Sequence, residues 1–208
     1  LLLDLLDIEG SIITIDAIGT QTKIAEKIIE NKADYILSVK GNQKELLQQV
    51  ESRFARQKPE TADETVEKGH GRIETRKCEV ITNLQHLDNR ENWAALTSII
   101  KITATRETAK KKETEIRYYI SSVLDEAKNF NVYIRRHWHV ENKLHWTLDV
   151  VFDEDRQRKR TKNAAQNFSF IRKIALNLLK KDTSKGSLVT KRLKAGWDDQ
   201  FLLQLVKN

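Results

Sequence analysis

The densest concentration of reactive side chains in this chain is RRHWHVENKLHW, Arg135 to Trp146. It holds three of the five histidines, two of the four tryptophans and one glutamate. Three roles suit such a mixture: a metal centre, a nucleic-acid contact, or the wet face of an ordinary helix. His137, Glu141 and His145 fall at i, i+4 and i+8, on one side of a helix, an arrangement that suggests zinc. Helical two-histidine zinc sites, however, space their histidines four apart, with the glutamate beside the first. His137 and His145 are separated by about 12 Å of helix, too far to share one ion unaided. A zinc-dependent hydrolase on these three residues is the weakest reading. His137, His139 and His145 then read as hydrogen-bonding or phosphate-contacting groups. Trp138 reads as core, and Trp146 as core or base-stacking.

Glu141 carries more information. Phe130, Ile134, Trp138, Leu148 and Phe152 trace one apolar stripe, with Glu141 and His145 as intermediate stops. A carboxylate on an inward face is costly unless a cation compensates it. A divalent metal would do so; a glutamate at the stripe's edge paired with arginine is an equal alternative. The second candidate carboxylate is Asp16. It follows SIITI, a short β-branched run that suits a strand buried on both faces. The carboxyl ends of such strands are where α/β sheets bind ligands. A turn or helix-capping aspartate is the plainer reading of Asp16 taken alone.

The elements around these residues follow from their patterns. LLLDLLDIEG reads as a helix ending at Gly10. SIITI, TKIAEKIIENK and DYILSVKG read as strand, amphipathic helix and strand, a parallel crossover unit. NQKELLQQVESRFARQ reads as a helix, and the stretch from Pro59 to about Gly71 as loop. GRIETRKCEVI, SIIKITATRE and EIRYYISS read as antiparallel strands, with AKKKET a hairpin turn between the last two. One long helix is expected from the N-cap Asp125 to about Leu148. Another spans Asn163 to Lys181, and one or two short helices follow Leu188. The fold class is therefore α/β. Four segments result: 1–58, the β-rich block 59–123, 124–182, and a basic tail 183–208.

Charge points to a partner. Residues 1–70 carry 9 Lys and Arg against 13 Asp and Glu, whereas 71–208 carry 28 against 17. Within 156–195 the count is 13 to 1, an electrostatic footprint for phosphates; the plainer alternative is a solvated lysine-rich surface. Arg135, Arg136, Lys143 and the run Arg156, Arg158, Lys159, Arg160 and Lys162 surround Glu141 in sequence. Carboxylates flanked by cations are what metal-assisted phosphoryl transfer needs. No apolar run approaches a membrane span, and the single Cys78 forms no internal disulfide. A reducing cytoplasm is the expected compartment. The chain has no methionine and starts in mid-pattern, as a piece of a longer reading frame would.

These stretches together resemble a known family. ITIDAIGTQTKIAEKI, ADYILSVKGNQKEL, GHGRIETR, RYYISS and RRHWHVENKLHWTLDVVFDEDRQRKRTKNAAQNFSFIRKIALNLLKKD resemble, in order and over nearly the whole chain, the bacterial DDE-type insertion-sequence transposases. The similarity is to the subgroup of H-repeat-associated proteins. It implies a ribonuclease-H-like core interrupted by a β-rich insertion before the helix with the last acid. It implies two Mg²⁺ or Mn²⁺ ions held by an Asp, Asp, Glu triad, with Asp16 the second acid and Glu141 the third. The first Asp would lie upstream of Leu1, so these 208 residues alone are expected to be inactive, with open strand edges near residues 12 and 36. Tyr133 and Arg136 match half of a Tyr, Arg, Glu, Lys signature found in related groups. Arg136 is one residue too far from Glu141, and Leu148 stands where the Lys would be. The implied partners are transposon-end and target DNA, bound by a homodimer in the bacterial cytoplasm at the nucleoid, with no membrane. A DNA-binding module without catalysis is the main rival.

Overall fold

The computed structural model describes residues 3, 5–69, 71–138 and 144–207. They form two compact units, Leu1–His137 and Trp138–Asn208. The first is a three-layer α/β unit around one six-stranded mixed sheet. Its strands are β1 (Ile12–Ile15), β2 (Asp34–Val39), β3 (Thr61–Gly69), β4 (Arg72–Ile81), β5 (Ser98–Thr108) and β6 (Lys112–Ser121). Their order in the sheet is β1-β2-β6-β5-β4-β3.

β1 and β2 are parallel, with Ile12 opposite Asp34, and the other strand pairs are antiparallel. Helix α1 (Thr22–Glu30) makes the crossover. Alternation along the strands divides the core. Tyr35, Leu37, Val39, Ile81, Ile99 and Ile120 face α1 and α2 (Lys44–Arg56), meeting Ile28 and Val50. Ile36, Cys78, Val80, Ile100, Ile102 and Tyr119 face α3 (Ala127–His137), meeting Phe130 and Ile134. β2 and β6 are stitched by the serines of RYYISS. Ser121 Oγ donates to Tyr35 O at 2.7 Å, and Ser122 Oγ accepts from Tyr35 N at 2.9 Å. The serines thus pair backbone groups that would otherwise be buried without partners.

Four elements differ from the sequence expectation. The stretch after Pro59 contains strand β3 rather than a loop. β3 has almost no apolar alternation; its order comes from pairing along all of β4 and from α3. Asn131 Nδ2 donates to Asp63 Oδ2 at 2.9 Å, and Arg135 forms a two-pronged pair with Glu67, one arm at 2.6 Å. The leucine-rich start is not an α-helix among its described residues: Leu3 is in 3-10 conformation and 5–10 are bends, turns and irregular chain, with only Ile8 buried. So short a segment nucleates poorly without packing. The single long helix from Asp125 is also not observed. α3 stops at His137, at a run of weak helix formers (His137, Trp138, His139, Val140), and α4 covers Trp146–Phe152. Finally, the strand near residue 36 is not an open edge, because β6 occupies the side of β2 away from β1. β1 alone of that pair has a free side among the described residues.

The second unit is helical: α4, α5 (Ala164–Lys181), α6 (Leu188–Trp197) and α7 (Asp199–Lys207). Leu179, Phe201 and Leu205 form its core. Ser187 caps α6, accepting from Thr190 N at 3.1 Å. A buried pair, Lys191 Nζ to Asp182 Oδ2 at 2.9 Å, ties α6 to the end of α5. No helix among the described residues is long and apolar enough to cross a membrane.

Candidate active site

Asp16 stands at the carboxyl end of β1, at the start of a one-turn 3-10 helix, Ala17–Gly19. Its side chain makes no capping hydrogen bond and is 51% exposed. The turn half of the plainer reading holds, since Asp16 O accepts from Gly19 N at 2.9 Å, but the side chain caps nothing. Instead Asp16 Oδ1 lies 3.6 Å from His137 Nε2, at the last residue of α3. The other ring nitrogen, Nδ1, is 3.0 Å from Thr14 Oγ1. Thr14 is the one polar residue of IITI, and by alternation it shares a sheet face with Ile12, on the side of α3. The ring is held at Nδ1 by Thr14, with the donor set by the tautomer, and its Nε2 faces the Asp16 carboxylate beyond hydrogen-bond distance.

The loop behind Asp16 is held from β2. Asn42 Nδ2 donates to Ala17 O at 2.6 Å, Gln43 Nε2 to Thr20 O at 2.9 Å, and Thr20 Oγ1 to Ser38 O at 2.6 Å. Adjacent parallel strands place their carboxyl-terminal loops side by side, so KGNQ serves DAIGT. Gly19 packs against β1: a Cβ there would lie 2.4 Å from Ile15 Cγ2. Sequence reasoning passed over Thr14, Asn42, Gln43 and the His137–Asp16 contact. A lone threonine among isoleucines and an amide pair after the neighbouring parallel strand were the available signals.

A family model described as the transposase DDE domain matches residues 1–178. The chain belongs to the DDE transposase family. Among curated proteins it is similar to "Putative protein YbfL" of Escherichia coli strain K12, 43% identical over 99% of this chain and 57% of that protein. It is 42% identical to "H repeat-associated putative transposase YhhI" of the same strain, with the same coverage. It is 41% identical to "Putative transposase YncI" of E. coli O157:H7, over 99% of this chain and 55% of the relative. The chain thus spans little more than half the length of these relatives. No solved structure matches it.

The structure of this transposase-family chain separates the other residues singled out by sequence. Asp16 and His137 come together. Tyr133 is engaged elsewhere: its hydroxyl donates to Asp125 Oδ2 at 3.0 Å, which raises its pKa. Burial opposes ionisation of Asp125, yet hydrogen bonds from Asn129, the Glu126 N–H and Tyr133 hold its carboxyl below the usual range. Arg135 is spent on Glu67, while Arg136 is exposed. Glu141, His139 and Lys143 lie outside the described residues. With α3 ending at His137, the i, i+4, i+8 face drawn through His137, Glu141 and His145 does not rest on one described helix.

Arg156, Arg158, Lys159, Arg160 and Lys162 occupy an exposed loop between α4 and α5. Arg156 Nε is 3.5 Å from Asp153 Oδ1, and Lys159 Nζ sits 3.7 Å above the Phe168 ring. His145 is exposed immediately before α4. No group of three or more metal-binding side chains gathers among the described residues. Asp16 itself is a half-exposed, uncapped carboxylate, the hard-oxygen donor that magnesium takes.

Proposed function

We propose that this chain carries the second and third acids of a DNA transposase, Asp16 and Glu141, and that the whole protein cuts and joins DNA at insertion-sequence ends. The observation that carries the reading is the Asp16 neighbourhood. Its carboxylate is free of capping duties, and α3 ends beside it, four residues before Glu141 in sequence. Mg²⁺ or Mn²⁺ held by these acids would supply activation of the attacking oxygen and stabilisation of the leaving one.

The chain's own residues do the rest. Asn42 and Gln43 hold the Asp16 loop in place. His137, braced at Nδ1 by Thr14, turns its Nε2 towards the Asp16 carboxylate. The basic loop Arg156–Lys162 binds backbone phosphates without reading sequence. The first acid of the triad is not among these residues, so the 208-residue chain alone is inactive in strand cleavage. Among the described residues one side of β1 is unpaired and can take a further strand. The whole protein works as a homodimer on DNA in the cytoplasm.

The test compares a full-length relative's strand cleavage with that of its variants at the positions of Asp16 and Glu141. Asp16→Asn and Glu141→Gln should each abolish cleavage in Mg²⁺ while leaving DNA binding intact. Cleavage surviving Glu141→Gln would overturn the reading. Salt-sensitive DNA binding with no cleavage in the unaltered protein would favour the non-catalytic DNA-binding module. The exposed basic loop is the observation that supports that rival.

A further inference from the structure

A second cluster of cations lies away from Asp16, on the α3 face of the sheet. Arg76 of β4 is opposite Thr65 of β3 on one side and Ala104 of β5 on the other. The next residue on the same face of β4, Cys78, is in line with Ile102 and then Arg117 of β6. Arg76 and Arg117 therefore share one face of the sheet, placed diagonally with β5 between them, and Arg135 stands on α3, which packs on that face. The nearby acids are already engaged. Arg117 is held by Glu115 through two bonds at 2.7 Å, Arg135 by Glu67, and Glu74 by Arg72 at 2.7 Å.

Arg76 is left over. Its Nε and Nη2 are buried with no hydrogen-bond partner, and it forms no ion pair among the described residues. Burial holds its pKa below that of an ordinary arginine; Tyr119 and Cys78 act against this, and the guanidinium groups of Arg117 and Arg135 reinforce it. An arginine cannot escape by losing its proton under physiological conditions, and an unpaired buried cation is costly. A planar fork of donors next to two further guanidinium groups is a receptor for a tetrahedral oxyanion.

We propose that Arg76, with Arg117 and Arg135 beside it, is a phosphate-binding site, and that its ligand is a backbone phosphate of duplex DNA. The inference rests on the DNA reading above and adds a contact on the β-rich part of the sheet, outside the basic loop. The acids Glu67 and Glu115 are more than half exposed and can swing to water as the phosphate arrives. Such a contact holds the duplex in place without reading bases.

The experiment uses the 208-residue chain and Arg76→Met, which keeps the stem and removes the charge. Fluorescence anisotropy with a labelled duplex is measured across a salt series, and melting temperature is measured with and without inorganic phosphate. The substitution should weaken DNA binding and flatten the log–log salt slope by about 0.9, one phosphate's worth. Its melting temperature should equal or exceed that of the unaltered chain, and phosphate should stabilise only the unaltered chain. Equal affinity and slope in the two proteins would overturn the DNA ligand. If phosphate nonetheless stabilises only the unaltered chain, the site serves free phosphate instead.

If the unaltered chain binds no duplex, the DNA reading has failed, and the phosphate measurement alone decides whether the site exists. If Arg76→Met does not fold, Arg76→Lys takes its place, keeping the charge without the fork. Weakened duplex binding by that variant supports the site, and unchanged binding overturns it.

Discussion

The Asp16 neighbourhood and the Arg156–Lys162 loop are the two chemically loaded regions, and they are built in opposite ways. Asp16 is a single acid whose position depends on residues distant in sequence: His137 beside it, Asn42 and Ser38 holding its loop, and behind them the α3 face of the sheet. The basic loop is five cations within seven residues, exposed and lightly tethered. One region concentrates its information in geometry, the other in local charge. Disturbing the core should therefore ruin the first region, whereas charge removal should change the second without disturbing any fold.

The sharpest way to break this contrast is Phe130→Ala. Phe130 is fully buried between α3 and the sheet, and its truncation should cost about 3–5 kcal/mol. Cys78, the chain's one cysteine, lies in the same cluster, where burial pushes its thiol up to about 12. Thiolate is the reactive form, so Cys78 should resist a thiol reagent at pH 8 in the folded protein and label rapidly in Phe130→Ala. Slow labelling of the variant would show that α3 does not depend on this contact.

A smaller effect should follow from Gly19→Ala, which touches the Asp16 region alone. The added methyl meets Ile15 Cγ2, and overpacking of this kind costs about 1–3 kcal/mol. The displaced turn should also lower strand cleavage in the whole protein beyond what the stability loss explains. A variant as stable and active as the parent would show that the turn does not fix the carboxylate. The smallest effect on stability belongs to the other region. Arg160→Ala should change stability by less than about 0.5 kcal/mol and reduce the salt slope of DNA binding by about 0.9. A large loss of stability would mean that the loop is structurally committed after all.

Much of the fold was legible because its elements announce themselves locally. The isoleucines of TKIAEKIIE define one face of α1, the β-branched run SIITI defines β1, and the alternation in β4 to β6 sorts the two cores. β3 escaped because TADETVEKG has no apolar period; its order comes from β4 and from α3 side chains that sequence places 68 residues away. The break at His137 escaped because one apolar stripe can be drawn through two helices as easily as through one. Asp16 was legible as a candidate from its place after an apolar β-branched run, although that strand lies at the sheet's edge and is only half-buried, not buried on both faces as expected. Its contact with His137, 121 residues later in the chain, was not.

The sequence by itself determined the family, the α/β class and the concentration of positive charge in the second half, since each is a property of residue order or composition. Only the tertiary structure decided which candidates meet. It brought Asp16 and Thr14 to His137, gave Tyr133 to Asp125 and Arg135 to Glu67, and left Arg76 with no ion pair among the described residues. The reason is physical: a side chain's partners are set by the register of strands and the angle at which a helix crosses them. Those depend on packing summed over the whole core, which no local pattern encodes.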